Sequence, residues 1–506
     1  MAEEVVARDP EPTIATGISP TGIIHVGSLR EAITGESVRS AVAELGNKVK
    51  LIYLIDDIDP LRRCYAFLPE SFEEHVGKPI CSIPCPAGMH GTYAKHFIQP
   101  FLDAVDSLNV KCEIIWTHEL YAQGKFAEAI DATFRKRGKV IEILRDVTGR
   151  DLGDDFAPYN PLCGKCMRFT QPIFDTYEFP YVEYECACGH RGRSDVRKME
   201  GKLVWRLEWP AKWKIFGVDA EPFGKDHAAA GGSFDSGVRI VREIYGGEPP
   251  IPIPYEFVQL KGVGQMHKST GSAVTGIDAI NMTPPEVLNY MFLRVNPQRA
   301  IDYDSGLGIL DMVDEYDRME RLFFEGGWAE VDKASVRAYQ LAQHNEVPEK
   351  LPRQIPYRHL MNVVQMADGF DDAIRILGRT EDLEDMTQAD LSRLRKRMEC
   401  VAYWLDGFAP DSVKFSVLKD APELPADDPA KPFYASFAAK LADAPWDGDS
   451  INGALVEAAA ETGIGNRKGY QAMYRIITGK TSGPRLGPFL ADMEREFVVG
   501  RLKESS

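Results

Sequence analysis

The polar and apolar positions fall into a definite order between residues 13 and 55. A short apolar run, Ile14-Ala15, leads through Gly17 into Ser19-Pro20-Thr21-Gly22 and then His25-Val26-Gly27-Ser28. From Leu29 onward, Leu29, Ile33, Val38, Ala41, Val42 and Leu45 recur at helical spacing on one broad face. Gly46 follows, where a helix C-terminus favours positive φ. A second apolar run, Val49 to Ile55, ends abruptly in Asp56-Asp57. The pattern predicts strand, glycine-rich turn, helix, strand. That is the opening of a doubly wound parallel sheet, whose ligands sit at the carboxyl ends of the strands. From Ser19 to Gly22 the turn has no large side chain, so a phosphate can approach its backbone and the helix N-terminus.

Residues 61 to 200 read as an insertion in this fold. They are rich in Pro, Cys and His early and late, with helical stretches at Phe97 to Leu108 and Phe126 to Val147. The first domain, 1–60, resumes over 201–302, with Val204 to Leu207 expected as a short strand. A second strand-to-helix turn, Gly224 to Ser233, precedes Val238, Ile240, Val241 and Ile244; Tyr255 to Leu260 reads as a final core strand. Over 303–506 the pattern turns helical. Tyr357 to Arg379 is periodic; Leu391, Leu394, Met398, Val401 and Leu405 make a stripe; so do Phe433, Phe437 and Leu441. A last stripe, Tyr470, Met473, Tyr474 and Ile477, is closed by Gly479. These stripes are core packing, and the C-terminal part is expected to be an all-α domain.

The chain has 506 residues, room for about three domains. A formal net charge of -17 excludes a generally basic nucleic-acid coat, so any RNA contact must come from local runs. Candidates are Arg135-Lys136-Arg137, Arg191 with Arg193, Arg393 to Arg397, and Arg467-Lys468 with Lys480 and Arg485. No apolar run is long enough to span a bilayer, and the start, MAEEVVARDP, lacks a signal-peptide core. A cytoplasmic location is expected, with the nine cysteines reduced or metal-bound. Cys163-Gly-Lys-Cys166 and Cys186-Ala-Cys188 supply four thiolates, suited to structural zinc; the Cys-x-Cys spacing is tighter than usual.

Two stretches carry chemistry together. His25 stands two residues before a glycine at the mouth of the first helix, where an imidazole faces phosphate oxygens. The loop Gly264 to Ser272 places Lys268 among small and hydroxyl residues, able to close over a polyphosphate as a point charge. The first stretch resembles the HIGH signature of class I aminoacyl-tRNA synthetases, with Ser28 in place of the final His. The second resembles their KMSKS loop: Met266, Lys268 and Ser269 fit, while Gln265 and His267 replace Lys and Ser, which removes one phosphate-binding charge. Gly479-Lys480-Thr481 is not a P-loop, because the upstream glycine position holds Tyr474.

Thr16 to Glu31, Trp205 to Trp213, and Glu221 to His227 with Gly231-Gly232-Ser233 are similar to the class I lysyl-tRNA synthetases over most of the first 300 residues. The similarity returns at Tyr470 to Pro488. The resemblance implies a Rossmann-type catalytic domain with a zinc-bearing insertion and an α-helical anticodon-binding domain. The implied reaction is ATP-dependent activation of L-lysine and its transfer to tRNA(Lys), with Mg²⁺ as cofactor. Pro20, Gly22, His25, Gly27, Ser28, Met266, Lys268 and Ser269 match positions for ATP, with His25 and Lys268 catalytic. Gly17, Ser19, Trp205, Asp226 and His227 match positions for lysine. Cys85, His90 and His96 resemble a second zinc site, although Met89 stands where a stronger ligand is expected.

A tryptophan face over an ammonium contributes about 0.5–2 kcal/mol. That does not reject arginine or ornithine, so a buried acid is expected, with Asp226, Asp57 and Glu208 as unranked candidates. The rival readings are a class I synthetase for glutamate, cysteine or arginine, a small-molecule nucleotidyltransferase, and a non-catalytic RNA-binding relative. The oligomeric state is not assigned. Lys268→Ala should cut adenylate formation strongly while leaving fold and zinc content intact; unchanged pyrophosphate-exchange kinetics in that variant would refute the role given to Lys268.

Overall fold

The computed structural model describes residues 1–506 apart from 151, 154, 262–263, 266–273, 327–331 and 345, with 264–265 described by backbone alone. The chain forms two compact units. The first comprises Met1–Ile280, Pro285–Tyr303 and Trp328–Val347, and the second Asn281–Pro284, Asp304–Gly327 and Pro348–Ser506.

A five-stranded parallel sheet organises the first unit. Its strands are β1 (Thr13–Ile18), β2 (Lys50–Ile55), β3 (Glu113–Trp116), β4 (Val218–Gly224) and β5 (Ile251–Tyr255), in the order β5-β4-β1-β2-β3. The β1–β2 register runs from Thr13↔Lys50 to Ile18↔Ile55. From β1 the chain winds to β2 and β3 on one side, then returns to β4 and β5 on the other. The switch between β1 and β4 leaves a crevice at their carboxyl ends.

Helix α1 (Leu29–Glu44) follows β1 and buries Leu29, Ile33, Val38 and Val42 as the stripe predicts. Leu45 is 49% exposed, one residue beyond the helix, and Gly46 takes φ +85°. Gly17 is required in β1 because a Cβ there would meet the Leu54 carbonyl oxygen at 2.6 Å.

Three expectations are corrected. Val204 to Leu207 is not a strand: the strand is Gly201–Leu203, and helix α2 (Trp205–Phe216) begins at Trp205. Trp205, Trp209 and Trp213 are four apart, and their ring contacts along one helix face outweigh the apolar run. Tyr255 to Leu260 is not one strand either. Tyr255 ends β5, whereas Val258–Leu260 joins a separate three-stranded sheet with Gly264–Gln265 and Ile301–Tyr303. Finally, β3 lies inside the span expected as an insertion. It is a four-residue edge strand with no fully buried residue, so it leaves little apolar signal.

The remainder of that span holds helix Tyr93–Ser107, the helix pair Ala127–Arg135 and Arg137–Thr148 in place of one long stretch, and a small antiparallel sheet of Gln171–Pro172, Tyr181–Glu185 and Arg191–Asp195.

Among the described residues the second unit is helical throughout. Its core gathers Phe433, Phe437, Leu441, Leu455, Met473 and Ile477. Arg393 and Arg397, expected as part of a basic surface run, instead pair inwardly with Glu320 (2.8 Å) and Asp317 (2.6 Å). Among the described residues no helix is long and apolar enough to cross a membrane.

His359 ties three segments of this unit together. Its ring meets Glu381 at 3.0 Å and Asp492 at 2.9 Å. Burial lowers its pKa, but the two carboxylates outweigh that and raise it to about 9. A raised folded-state pKa contributes stability that is full below the unfolded value and lost as pH rises through the folded one. His359→Gln should therefore lower unfolding stability by on the order of 2–3 kcal/mol near pH 6 and by much less at pH 10. Denaturant titrations at the two pH values check this.

Candidate active site

Two neighbouring cavities open at the β1–β4 crevice. The smaller, about 290 Å³, is lined by His25, Gly27, Ser28, Glu31 and Asp226 among others. The larger, about 580 Å³, includes Gly17, Ser19, Asp59, Lys202 and Trp205 in its lining. Ile18 and His227 line both.

His25 begins a 3₁₀ turn, Val26–Ser28, that runs directly into α1. The Ser28 N–H donates to the His25 carbonyl at 3.0 Å, and Val26 N–H to Val274 O at 2.8 Å, which fixes the turn. Glycine at 27 is a steric necessity: a Cβ would lie 2.9 Å from His25 Nδ1. The spacing His-x-Gly thus lets the imidazole fold over the turn at a helix N-terminus, a natural anion seat. Pro20 and Gly22 are buried in the preceding loop, which Tyr93 OH pins through Thr21 O at 2.9 Å; they line neither cavity. Met266, Lys268 and Ser269 lie outside the described residues.

The five residues matched to lysine divide. Gly17, Ser19, Trp205 and His227 line the larger cavity together, and Asp226 lines the smaller one beside His25. Trp205 is 38% exposed and stacks at 5.4 Å on Trp209, with the His227 ring 6.0 Å away. Burial lowers the His227 pKa, which keeps its ring neutral around pH 7. Trp209 and Trp213 are structural: both indoles donate to buried Glu221, at 2.9 and 2.5 Å. Burial pushes that carboxyl up to about 8, with the two indole bonds countering it.

Beneath the larger cavity lies a buried charge cluster. Lys202 Nζ pairs with Asp59 and reaches Glu208 at 3.3 Å; Lys212 Nζ pairs with Asp56 and reaches Glu208 at 3.7 Å. Ser19 Oγ donates to Asp59 at 2.8 Å, Thr117 Oγ1 to Asp56 at 2.8 Å, and Tyr121 OH to Glu208 at 2.7 Å. Burial raises the Asp59 pKa, but Lys202 more than offsets this and holds it low.

Two of the three candidate acids are therefore already engaged. Glu208 belongs to the cluster, and Asp57 accepts from the His118 N–H at 3.0 Å and from its ring. The sequence reading missed Glu31. This half-buried carboxylate accepts from Gly17 N–H at 2.9 Å, from Thr16 Oγ1 and from Tyr255 OH at 2.6 Å. Three neutral donors hold it at the end of β1. Its position six residues after His25, in the first turn of α1, is the only sequence signal that it carried.

The cysteine cluster comes together as its spacing predicts. Cys163 and Cys188 Sγ lie 3.7 Å apart, Cys166 and Cys186 Sγ 3.6 Å apart, and all four are within 4.8 Å of one another. Thiolates about 2.3 Å from a tetrahedral zinc would stand about 3.8 Å apart, so the donor set fits zinc. Cys85 Sγ, His90 Nδ1 and His96 Nδ1 also converge, at 3.8, 3.5 and 3.2 Å. Met89 is 73% exposed and not among them. Asp57, Cys81 and His118 form a third such group, unforeseen from spacing.

Residues 1–345 match the family described as tRNA synthetases class I (K), and residues 401–505 one described as an anticodon binding domain. The chain is 41% identical over 494 residues to a lysine–tRNA ligase of Thermoplasma volcanium, covering 97% of this chain and 96% of that one. It is 38% identical over 505 residues to the lysine–tRNA ligase of Archaeoglobus fulgidus (99% and 98% covered). With that of Methanosarcina barkeri it shares 37% identity over 528 residues (100% and 97% covered).

Proposed function

Because the chain belongs to the lysine-specific class I tRNA synthetases, we propose that it activates L-lysine with ATP and transfers it to the 3′ end of tRNA(Lys) in cytoplasmic translation. The observation that carries the reading is the junction of the two cavities. The turn bearing His25, at the N-terminus of α1, opens on one side, and an aromatic-walled chamber bearing Trp205 on the other.

In this reading the triphosphate lies against His25, Gly27 and Ser28 at the N-terminus of α1, and Lys268 is the residue assigned to supply it with a further positive charge. The lysine carboxylate attacks the α-phosphorus in line. A new O–P bond forms as the bond to the β-phosphate bridging oxygen breaks, and pyrophosphate leaves. The carboxylate is already a nucleophile near pH 7, so no general base is required. Catalysis is positioning plus charge neutralisation by His25, Lys268 and main-chain N–H groups. Mg²⁺ would supply further positive charge to the triphosphate.

Glu31 is the acid we assign to the substrate ammonium. Asp57 is taken up by the backbone N–H and ring of His118, and Glu208 by Lys202 and Lys212. Asp226 has a side chain 59% exposed, too wet to discriminate strongly. Glu31, held by Gly17 N–H and Tyr255 OH at the end of β1, lines the smaller cavity where it adjoins the chamber bearing Trp205. The four clustered cysteines would hold a structural zinc that keeps their two knuckles folded.

The helical unit supplies the RNA contact, through the exposed Arg467, Lys468 and Arg485 with Tyr470 among them. A cavity of about 720 Å³ lined by Trp446, Arg358, Arg379 and Arg485 adds aromatic and guanidinium surface for unstacked bases.

Pyrophosphate exchange measured across all amino acids, with and without tRNA, should respond to lysine alone; a response to glutamate, cysteine or arginine instead would overturn the assignment. Glu31→Gln should raise the KM for lysine by about 10- to 100-fold, since a hydrogen bond to a charged group is worth about 1.5–3 kcal/mol. An unchanged KM would remove Glu31 from the lysine site. Metal analysis of the purified chain should find zinc, and Cys163→Ser should lose one equivalent of it.

A further inference from the structure

We propose that Asp57, Cys81 and His118 form a further metal site, an open three-ligand seat for a borderline transition ion such as Zn²⁺, which braces the carboxyl ends of β2 and β3. A carboxylate oxygen, a sulfur and an imidazole nitrogen from these residues lie within 4.8 Å of one another. The group shares no residue with the cluster of four cysteines or with Cys85, His90 and His96, and its members line neither cavity of the active site.

Three segments far apart in sequence bring the donors together. Asp57 stands just past the end of β2, and His118 lies in the first turn of the helix Thr117–Ala122, which follows β3 directly. Cys81 comes from the chain between them and is tied to the first segment by main-chain bonds. Cys81 N–H donates to Asp57 O at 2.8 Å and Ile80 N–H to Asp59 O at 2.9 Å, beside a bridge between Pro60 and Pro79. On the other side, His118 N–H donates to Asp57 Oδ1 at 3.0 Å, while Asp57 Oδ2 meets His118 Nδ1. The donors are thus placed by the backbone, which lowers the cost of gathering them around an ion.

The donor types select the ion. Mg²⁺ and Ca²⁺ take oxygen ligands, whereas one thiolate with one imidazole and one carboxylate suits zinc and its neighbours. Three protein ligands leave a fourth tetrahedral position for water. The Asp57 side chain is 1% exposed and that of His118 29%, so the ion enters from the imidazole side. As it binds, the Cys81 thiol proton and the proton that Asp57 and His118 share pass to solvent.

The neighbours of two of the ligands give the site its consequence. Asp56 precedes Asp57 and pairs with Lys212; Thr117 precedes His118 and donates from Oγ1 to Asp56 at 2.8 Å. An ion held by Asp57 and His118 therefore fixes the same two strand ends that present Asp56 to the buried charge cluster. Because the unfolded chain scatters these ligands, binding stabilises the folded unit by mass action.

The test is a titration of the full chain with Co²⁺ after dialysis against a mild chelator, without lysine, ATP or tRNA. Co²⁺ accepts the same nitrogen, oxygen and sulfur ligands as Zn²⁺ and reports a bound thiolate by a sulfur-to-metal charge-transfer band. The wild type should bind Co²⁺ with that band and melt at a higher temperature when it is bound. Cys81→Ser should lose one equivalent of the band. His118→Gln should weaken binding of that equivalent by about tenfold or more. Neither variant should gain the full rise in melting temperature. Melts without Co²⁺ check that each variant folds; if Cys81→Ser melts early, the affinity of His118→Gln decides alone. A wild type without the band, or a band and affinity that both variants leave unchanged, would overturn the proposal.

Discussion

Two buried ammonium groups hold the catalytic unit in its working shape. Lys202 and Lys212 are 6% and 2% exposed, and each would be prohibitively costly there without a partner. Asp56 and Asp59 come from the end of β2, Lys202 from the strand entering α2, and Glu208 and Lys212 from α2 itself. The cluster therefore pins the first half of the fold to the second across the intervening 140 residues or so. Buried ion pairs are weak sources of net stability, because desolvation cancels much of the attraction. Their stronger effect here is geometric: the alternatives leave a buried charge unpaired, so the helix and strand ends have one acceptable register. Three carboxylates against two ammonium groups also leave a formal surplus of one negative charge beneath the cavity, an environment that favours a cationic amino acid.

What the sequence made legible was what local periodicity or spacing encodes. The strand–turn–helix–strand opening, the four-cysteine cluster and the C-terminal helical stripes all depend on neighbours within a few residues or on unambiguous ligand chemistry. What stayed hidden depends on the whole sheet. Glu113–Trp116 becomes a strand because β2 offers it an edge, and its own four residues do not announce it. Glu208 looked available as a lysine ligand, yet two lysines and Tyr121 claim it in the fold. Glu31 looked like an ordinary acid near a helix start, and only the fold brings Tyr255 and Gly17 to its oxygens. In each case the deciding partner is distant in sequence or is backbone, and a linear reading has access to neither.

The tryptophans show how one spacing can carry two roles. Trp205, Trp209 and Trp213 occupy successive turns of one helix. The inner two are buried and spend their indole N–H groups on Glu221, which fixes α2 against β4. The outermost keeps its ring at the cavity, where it also lies 5.7 Å from the Lys212 ammonium. The fold thus already sets a cation near that ring, an arrangement that shows the aromatic wall to be suited to positive charge.

Charge sorting also explains how an acidic protein can meet an anionic polymer. Arg135 is paired with Asp131 at 2.8 Å, Arg191 with Glu185 at 2.7 Å, and Arg397 with Asp317 at 2.6 Å. Arg397 is buried and serves the fold, whereas Arg135 and Arg191 hold exposed pairs with acids on the same helix and hairpin. Arg467 and Lys468 at the start of the helix Asn466–Thr478, and Arg485 just beyond its end, are exposed with Tyr470 beside them. A net charge of -17 repels RNA at long range, but salt at cellular strength screens that field beyond about 8 Å. Inside that distance the local arrangement decides, and aromatic stacking adds attraction that net charge does not cancel. Overall acidity then disfavours non-specific RNA everywhere except where arginine, lysine and aromatic rings coincide, which turns an apparent obstacle into a source of selectivity.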